Sequence, residues 1–320
     1  MNLKTGRVIE LFDANPTLKP SRFPKVDTLE WKDALGNSFF GKLVYPANYR
    51  PGRRYPLVIS TYMCRGFLRG GSGDEFPELL FAQAGMVALC VNYSGVGDFS
   101  AAHAAQAREI PVLRSVVSQY ERIVDQLDRR GLIDATRVGI GGLSLSSQAV
   151  EWALWHSHKF SAASISGPAA VDPVWEDWMS VTRWEQVRAH YDLPASDNPN
   201  DPAWMAVSPA LNVSKMTTPI IVNSAENEAL AGIQLYSKLR RAGIPLELYI
   251  YPREEHQFVI YPKDKAAVYQ RNLDWFGFWL QGHEDPDPAK REQYSRWEKF
   301  CDLQIAKKIE RPTFCTSTKH

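Results

Sequence analysis

Arg137-Val-Gly-Ile-Gly-Gly-Leu-Ser-Leu-Ser-Ser147 reads as a short apolar strand at 138–140, a glycine corner, a serine and the first turn of a helix. Small residues crowd the corner: Gly141 and Gly142 precede Ser144, and Ser146 and Ser147 follow it. A strand-to-helix turn this tight holds its central serine in a strained backbone conformation that lifts Oγ clear of the sheet. The usual spelling of such an elbow is Gly-x-Ser-x-Gly. Here Gly142-Leu143-Ser144-Leu145-Ser146 keeps the first glycine and puts serine, the next small residue, in the last place. Read alone, the stretch is equally an ordinary strand-turn-helix with a capping serine.

The flanking sequence decides the fold class. Upstream of the elbow, strand signals run through 39–45 and 57–62, and Met86 to Asn92 is a continuous apolar run suited to a strand buried on both faces. Between that run and the elbow, Leu113, Val116, Val117, Tyr120, Ile123, Val124 and Leu127 recur at helical spacing until Gly131. Downstream come a helix burying Ala149, Val150, Ala153 and Leu154, then short strands at 161–166 and 220–222. A helix around Ile233, Tyr236 and Leu239, a strand at 246–251 and a helix over Tyr269, Leu273, Phe276 and Leu280 complete the series. Strand and helix in alternation imply an α/β-hydrolase fold: a mostly parallel, doubly wound sheet with helices on both faces.

Three segments stand outside that alternation. Residues 1–36, interrupted by Pro16, Pro20 and Pro24, read as a linker-like N-terminal segment before a catalytic domain at 37–283. Residues 168–207 form an insertion carrying Trp175, Trp178, Trp184 and Trp204, read as a packed surface subdomain or as a lid over the substrate site. Residues 284–320 are a polar C-terminal extension in which Trp297 and a few neighbours have apolar surface to bury.

Lys and Arg exceed Asp and Glu by one in 320 residues, and no basic run interleaved with aromatics is present, so no nucleic-acid partner is expected. No stretch approaches the ~20 apolar residues of a membrane span. Cys64, Cys90, Cys301 and Cys315 are scattered without metal-ligand spacing, so no metal site is expected. Reduced thiols in a cytoplasmic protein, with Cys90 as a buried one, are the default reading.

A serine hydroxyl becomes a nucleophile when a base takes its proton and an acid orients that base. In doubly wound hydrolases these partners lie beyond later strands, in the order serine, acid, histidine. Asn223-Ser-Ala-Glu-Asn-Glu228 follows one such strand, and Pro252-Arg-Glu-Glu-His256 follows the next. The expected catalytic set is therefore Ser144, His256 and a carboxylate from Glu228 or Glu226. The N–H of Leu145, the residue after the nucleophile, is the first expected oxyanion donor.

Several stretches together resemble the catalytic domain of the prolyl oligopeptidase family of serine peptidases. They are Tyr55-Pro-Leu-Val-Ile, Gly131-Leu-Ile-Asp-Ala-Thr-Arg-Val-Gly-Ile, Gly243-Ile-Pro-Leu-Glu-Leu-Tyr-Ile-Tyr-Pro-Arg-Glu-Glu-His and Leu273-Asp-Trp-Phe-Gly-Phe-Trp-Leu. The resemblance maps the nucleophile to Ser144, the base to His256 and a second oxyanion donor to Tyr62. It puts Glu228 where the family has aspartate, with Glu226 as the fallback, and Met63 where the family has glycine after the tyrosine.

The glutamate, the altered elbow and Cys64-Arg-Gly-Phe-Leu-Arg-Gly-Gly71 resemble one branch of the family, the lasso-peptide isopeptidases. The spacings match that branch too: 84 residues from Ser144 to Glu228 and 28 from Glu228 to His256. That likeness implies hydrolysis of the amide between a peptide's N-terminal amine and an Asp or Glu side chain, without a cofactor. Arg65 and Arg69 read equally as contacts for a substrate carboxylate or carbonyl and as solvated loop cations. An esterase or acyl-aminoacyl hydrolase on the same triad, and a catalytically silent binding module, are the alternatives.

The resemblance implies an N-terminal β-propeller for which this sequence has no room; Val8 to Leu11 followed by Asn15-Pro-Thr-Leu18 resembles the last propeller strand and the linker out of it. A fragment, a truncated reading frame and a propeller-free enzyme are the three readings. Each leaves the catalytic face open, with the four tryptophans of the insertion as an expected surface for self-association.

Overall fold

The computed structural model describes residues 5–6, 12, 23–34, 36–62, 64, 76–92, 109–167, 171–177, 179–194, 201–256, 258, 260–307 and 315. Among the described residues eight strands form a single sheet: β1 (Val26–Lys32), β2 (Ser38–Val44), β3 (Tyr55–Tyr62), β4 (Val87–Asn92), β5 (Ile133–Leu143), β6 (Ala162–Ser166), β7 (Ile220–Ala225) and β8 (Leu246–Tyr251). Their order is β1-β2-β4-β3-β5-β6-β7-β8. Pairing is antiparallel between β1 and β2 and between β2 and β4, and parallel through the rest. The chain winds outward from β3 to β4, then returns to lay β5 on the other side of β3. Such a reversal opens a crevice at the carboxyl ends of the strands, where α/β proteins bind ligands.

Helices cover both faces, as the alternation predicts. On one face α2 (Glu109–Arg129), α3 (Leu145–His156) and α6 (Ile233–Arg241) share a core with Leu57, Ile59, Leu89 and Ile140. On the other, α1 (Glu78–Gln83), α7 (Pro262–Gln281) and α8 (Arg291–Ala306) pack on Val58, Ala88 and Ile221. Leu57, Val58 and Ile59 thus alternate between the two cores, as the two-residue period of a strand buried on both faces requires.

Two segments near the ends, 26–32 and 291–306, are better integrated than the sequence suggests. Residues 26–32, inside the segment read as linker-like, form the edge strand β1, registered against β2 from Val26↔Val44 to Lys32↔Ser38. In the polar C-terminal extension, Trp297 on α8 is fully buried. Its ring meets Trp275 edge-on at 5.0 Å, and its Nε1–H donates to Glu247 over 3.2 Å. One buried indole with a satisfied donor anchors a helix that is otherwise mostly polar.

The cysteines correct the sequence reading. Cys64 is bonded to Cys90, and Cys301 to Cys315, so none of the four is free. The scattered spacing, which suggests reduced thiols, hides the pairs because their partners are 26 and 14 residues apart in the chain. Parallel pairing of β3 with β4 sets Ser60 opposite Cys90, and the chain leaving β3 passes back over it at Cys64. No helix among the described residues is long and apolar enough to cross a membrane.

The insertion contains α4 (Val181–His190) and α5 (Pro202–Val207) and packs a core of its own. Trp175, Trp184 and Trp204 are all buried in it, the last two stacked at 5.8 Å. This corrects the expectation of an exposed tryptophan surface for self-association; Trp178 lies outside the described residues. At its base, Asp172 accepts hydrogen bonds from the Ser208 hydroxyl and, over 3.0 Å, from the Ala210 N–H. The two ends of the insertion are thereby tied together.

Burial pushes the Asp172 carboxyl up to about 6 from its ordinary 3.8, although both hydrogen bonds favour the charged form. Between those values the folded chain holds a proton that the unfolded chain has released. The contribution of Asp172 to stability is therefore full below the unfolded value and is lost as the pH rises through about 6. Thermal unfolding followed from about pH 4 to 7 should show this decline, and Asp172→Asn should flatten it.

Candidate active site

Strand register brings the candidate residues to one edge of the sheet. β3 and β5 pair as far as Thr61↔Gly142, which leaves Tyr62 beside Leu143, one residue before Ser144. β5 and β6 pair as far as Leu143↔Ser166, so Ser144 emerges beside Gly167. β7 and β8 end level at Ala225↔Tyr251, and the loops beyond them carry Glu228 and His256. Tyr62 ends β3, and Ser144, Gly167, Glu228 and His256 follow the carboxyl ends of β5, β6, β7 and β8.

The elbow has the strain that its sequence requires. Ser144 sits at φ 57°, ψ −129°, just before the first residue of α3. A side chain at positive φ costs on the order of 1–3 kcal/mol and persists only where its surroundings fix it. Here the Ser144 N–H donates to Ser166 O over 3.0 Å, and Ser144 O accepts from the Ser147 N–H over 2.7 Å. The Ser147 hydroxyl lies 2.6 Å from Ser144 O and 3.0 Å from Gly167 O, bridging the elbow to the end of β6. Gly142 is obligatory: a Cβ there would stand 2.4 Å from Ser146 O and 2.9 Å from Ser147 N, in the backbone of α3.

The sequence singled out Ser147 only for its size. Its bridging role could not be read without knowing which strand lies beside β5.

Leu145 opens α3 with its side chain half exposed. The N–H groups of a helix's first turn have no carbonyl one turn back to bond, so they face outward as donors. Tyr62 ends β3 partly exposed. Arg65 and Arg69 lie outside the described residues, as does Met63.

His256 Nδ1 makes a short hydrogen bond to Glu228 Oε1. The two side chains are only partly exposed, at 38% and 22%. Glu226, two residues away in the same short 3-10 turn, is used differently: its Oε2 accepts the Arg253 N–H over 3.0 Å. The loop carrying His256 is braced again from within, because buried Glu254 accepts the N–H groups of Ile260 (3.2 Å) and Tyr261 (2.7 Å). Phe258, at φ 51° and fully buried, packs edge-on against Tyr251 at 5.0 Å. Glu226 and Glu254 thus hold the loop while Glu228 holds the imidazole.

Beneath the site, Tyr236 is buried, and its hydroxyl is pushed well above its ordinary value by burial first and then by the carboxylates of Glu151, Asp172 and Glu228. It stays neutral and adds no charge to the acidic side of the imidazole. Among the described residues no group of three or more His, Cys, Asp and Glu could hold a metal ion.

Residues 76–283 match the Prolyl oligopeptidase family. The chain is 37% identical to the lasso peptide isopeptidase AtxE2 of Asticcacaulis excentricus over 304 residues, which cover 93% of this chain and 44% of that protein. It is 24% identical to dipeptidyl-peptidase 5 of Porphyromonas endodontalis over 75% of this chain and 35% of that one. Among solved structures, a serine-to-alanine variant of AtxE2 with Astexin3-dC4 bound superposes with a TM-score of 0.81 at 36% identity, covering 95% of this chain and 47% of that one. The acylaminoacyl peptidase of Pyrococcus horikoshii shares the fold at a TM-score of 0.64 and 15% identity, over 85% of this chain and 44% of that one. The chain spans about half the length of the relatives it matches. With its sheet order, its strained serine after β5 and its family match through His283, this chain belongs to the prolyl oligopeptidase family.

Proposed function

We propose that this chain is a serine hydrolase that opens the isopeptide ring of a lasso peptide. The observation that carries the chemistry is the hydrogen bond that His256 Nδ1–H donates to Glu228, at the strand edge where Ser144 is held at positive φ. Similarity to a lasso peptide isopeptidase over 93% of the chain supports the choice of substrate.

In this reading Ser144 Oγ attacks the carbonyl carbon of the amide while His256 takes its proton. The carbonyl oxygen, now an anion, is held by the Leu145 N–H and the Tyr62 hydroxyl. Glu228 keeps Nδ1 of the imidazole protonated and stabilises the imidazolium. His256 then gives its proton to the departing N-terminal amine, the C–N bond breaks and an acyl-enzyme remains. Water, deprotonated by His256, releases the side-chain carboxylate of the former ring and restores Ser144. The two disulfides favour an oxidising compartment over the cytoplasm expected from the sequence.

The test is to incubate the full chain with a lasso peptide, with its linear form and with a small activated ester. Mass spectrometry should show the ring peptide gaining one water with release of its N-terminal amine. The linear form should stay intact, and the ester should be hydrolysed by the same serine. Ester hydrolysis without ring opening would reassign the substrate, and cleavage of the linear chain would make the protein an ordinary peptidase.

A further inference from the structure

The acid of this site is a glutamate, one methylene longer than the aspartate expected at that position, and the extra length has to be accommodated. The structure shows where the room comes from. Gly167, the first residue after β6, sits at φ 59° next to the imidazole of His256. A Cβ at this position would stand 2.7 Å from His256 Cε1, 2.8 Å from Nδ1 and 3.2 Å from Glu228 Oε2. Only side-chain atoms of the acid and the base come this close; no backbone atom is among the nearest contacts. Glu228 Oε2 is buried without a hydrogen-bond partner among the described residues, so none of them holds the carboxylate back from this space.

We propose that Gly167 is a positioning residue whose missing side chain lets the longer Glu228 reach His256, so that positions 167 and 228 act as a coupled pair. The inference rests on the triad reading given above. A collision of 2.7 Å is relieved most cheaply by swinging the imidazole, the free end of a flexible side chain, rather than by moving backbone. That motion breaks the bond to Glu228 and changes the angle at which the imidazole meets Ser144. A displacement of about 1 Å in a reacting group is enough to lose about 10²-fold in rate. Gly167 is also held from behind, since its carbonyl accepts from the Ser147 hydroxyl on α3 over 3.0 Å. It therefore cannot retreat without disturbing the elbow.

The test uses the full chain and a small activated ester, which requires the triad but not recognition of a ring. Gly167→Ala should lower kcat about 10²-fold with KM within about twofold, and should slow inactivation by a fluorophosphonate in parallel. The acid limb of the kcat/KM profile, set by His256, should move to lower pH because the imidazole loses its carboxylate. Gly167→Asn adds the same Cβ with a side chain that tolerates positive φ, which separates collision from backbone strain if the alanine variant folds poorly.

Glu228→Asp alone should be impaired, because the shorter carboxylate no longer reaches the imidazole. Combined with Gly167→Ala, it should be less impaired than the product of the two single losses, since the shorter acid vacates the space beside the new methyl group. Wild-type kcat in a folded Gly167→Ala or Gly167→Asn chain would overturn the proposal. So would strictly multiplicative losses with an unmoved acid limb. Activity that survives Ser144→Ala would overturn the triad reading itself, whereas Ser144-dependent activity indifferent to position 167 would sink only the coupling.

Discussion

Ser144→Ala is expected to lower hydrolysis of every substrate by at least about 10⁴-fold while leaving the fold and its thermal midpoint nearly unchanged. Both halves of this expectation follow from the elbow. The hydroxyl is the atom that would form the acyl-enzyme, and no neighbouring serine can replace it: Ser146 Oγ is buried, and the Ser147 hydroxyl is engaged with two carbonyls. Alanine retains the Cβ, so the cost of φ 57° is the same in both chains. Glycine at this position removes that cost. Ser144→Gly should be equally inactive but more stable by about 1 kcal/mol, a gain in stability on loss of function that marks strain held at a functional residue. Chemical denaturation of the three chains, alongside initial rates on an activated ester, checks both effects.

Glu228→Gln should lower kcat by about 10³- to 10⁴-fold with little change in KM. The amide is the same size, but it has no charge to stabilise the imidazolium, and its NH₂ group can turn the imidazole into the wrong tautomer. Glu226→Gln should stay within about threefold of wild type, since it weakens one hydrogen bond to Arg253 and touches no proton that moves in the reaction. The two residues lie in one turn with the same side chain, so they are each other's control. The opposite ranking would transfer the acid to Glu226 and remove the basis for coupling Gly167 to Glu228.

The fold and the order of the candidate residues were legible in the sequence because they rest on local pattern. Apolar runs such as 87–92, the helical spacing over 113–127 and the small residues around Ser144 each report on a few neighbours in the chain. Placement of Glu228 rather than Glu226 against His256 needed the family resemblance, because both carboxylates follow β7 at workable distances along the chain.

What escaped the sequence depends on which elements are adjacent in space. The edge strand β1 lies among prolines and polar residues and gains its partner only when β2 presents an unpaired edge. The disulfides follow from the pairing of β3 with β4 and from the placement of Cys315 beside α8, neither of which spacing reveals. The tryptophans of the insertion looked like exposed surface because their partners include Val171 and Val187 from distant parts of the insertion and Ala231 from beyond β7. Gly167 was invisible for the same reason. Nothing in Ser166-Gly-Pro168 says that the imidazole of His256 will lie on it.

The central claim is that Ser144 is an activated nucleophile and that His256 activates it. The most direct measurement is labelling of the full chain with a fluorophosphonate, followed by peptide mapping of the adduct. One stoichiometric adduct is expected on the peptide containing Ser144, formed slowly or not at all in His256→Ala. An unlabelled chain, or an adduct on a different residue, would contradict it.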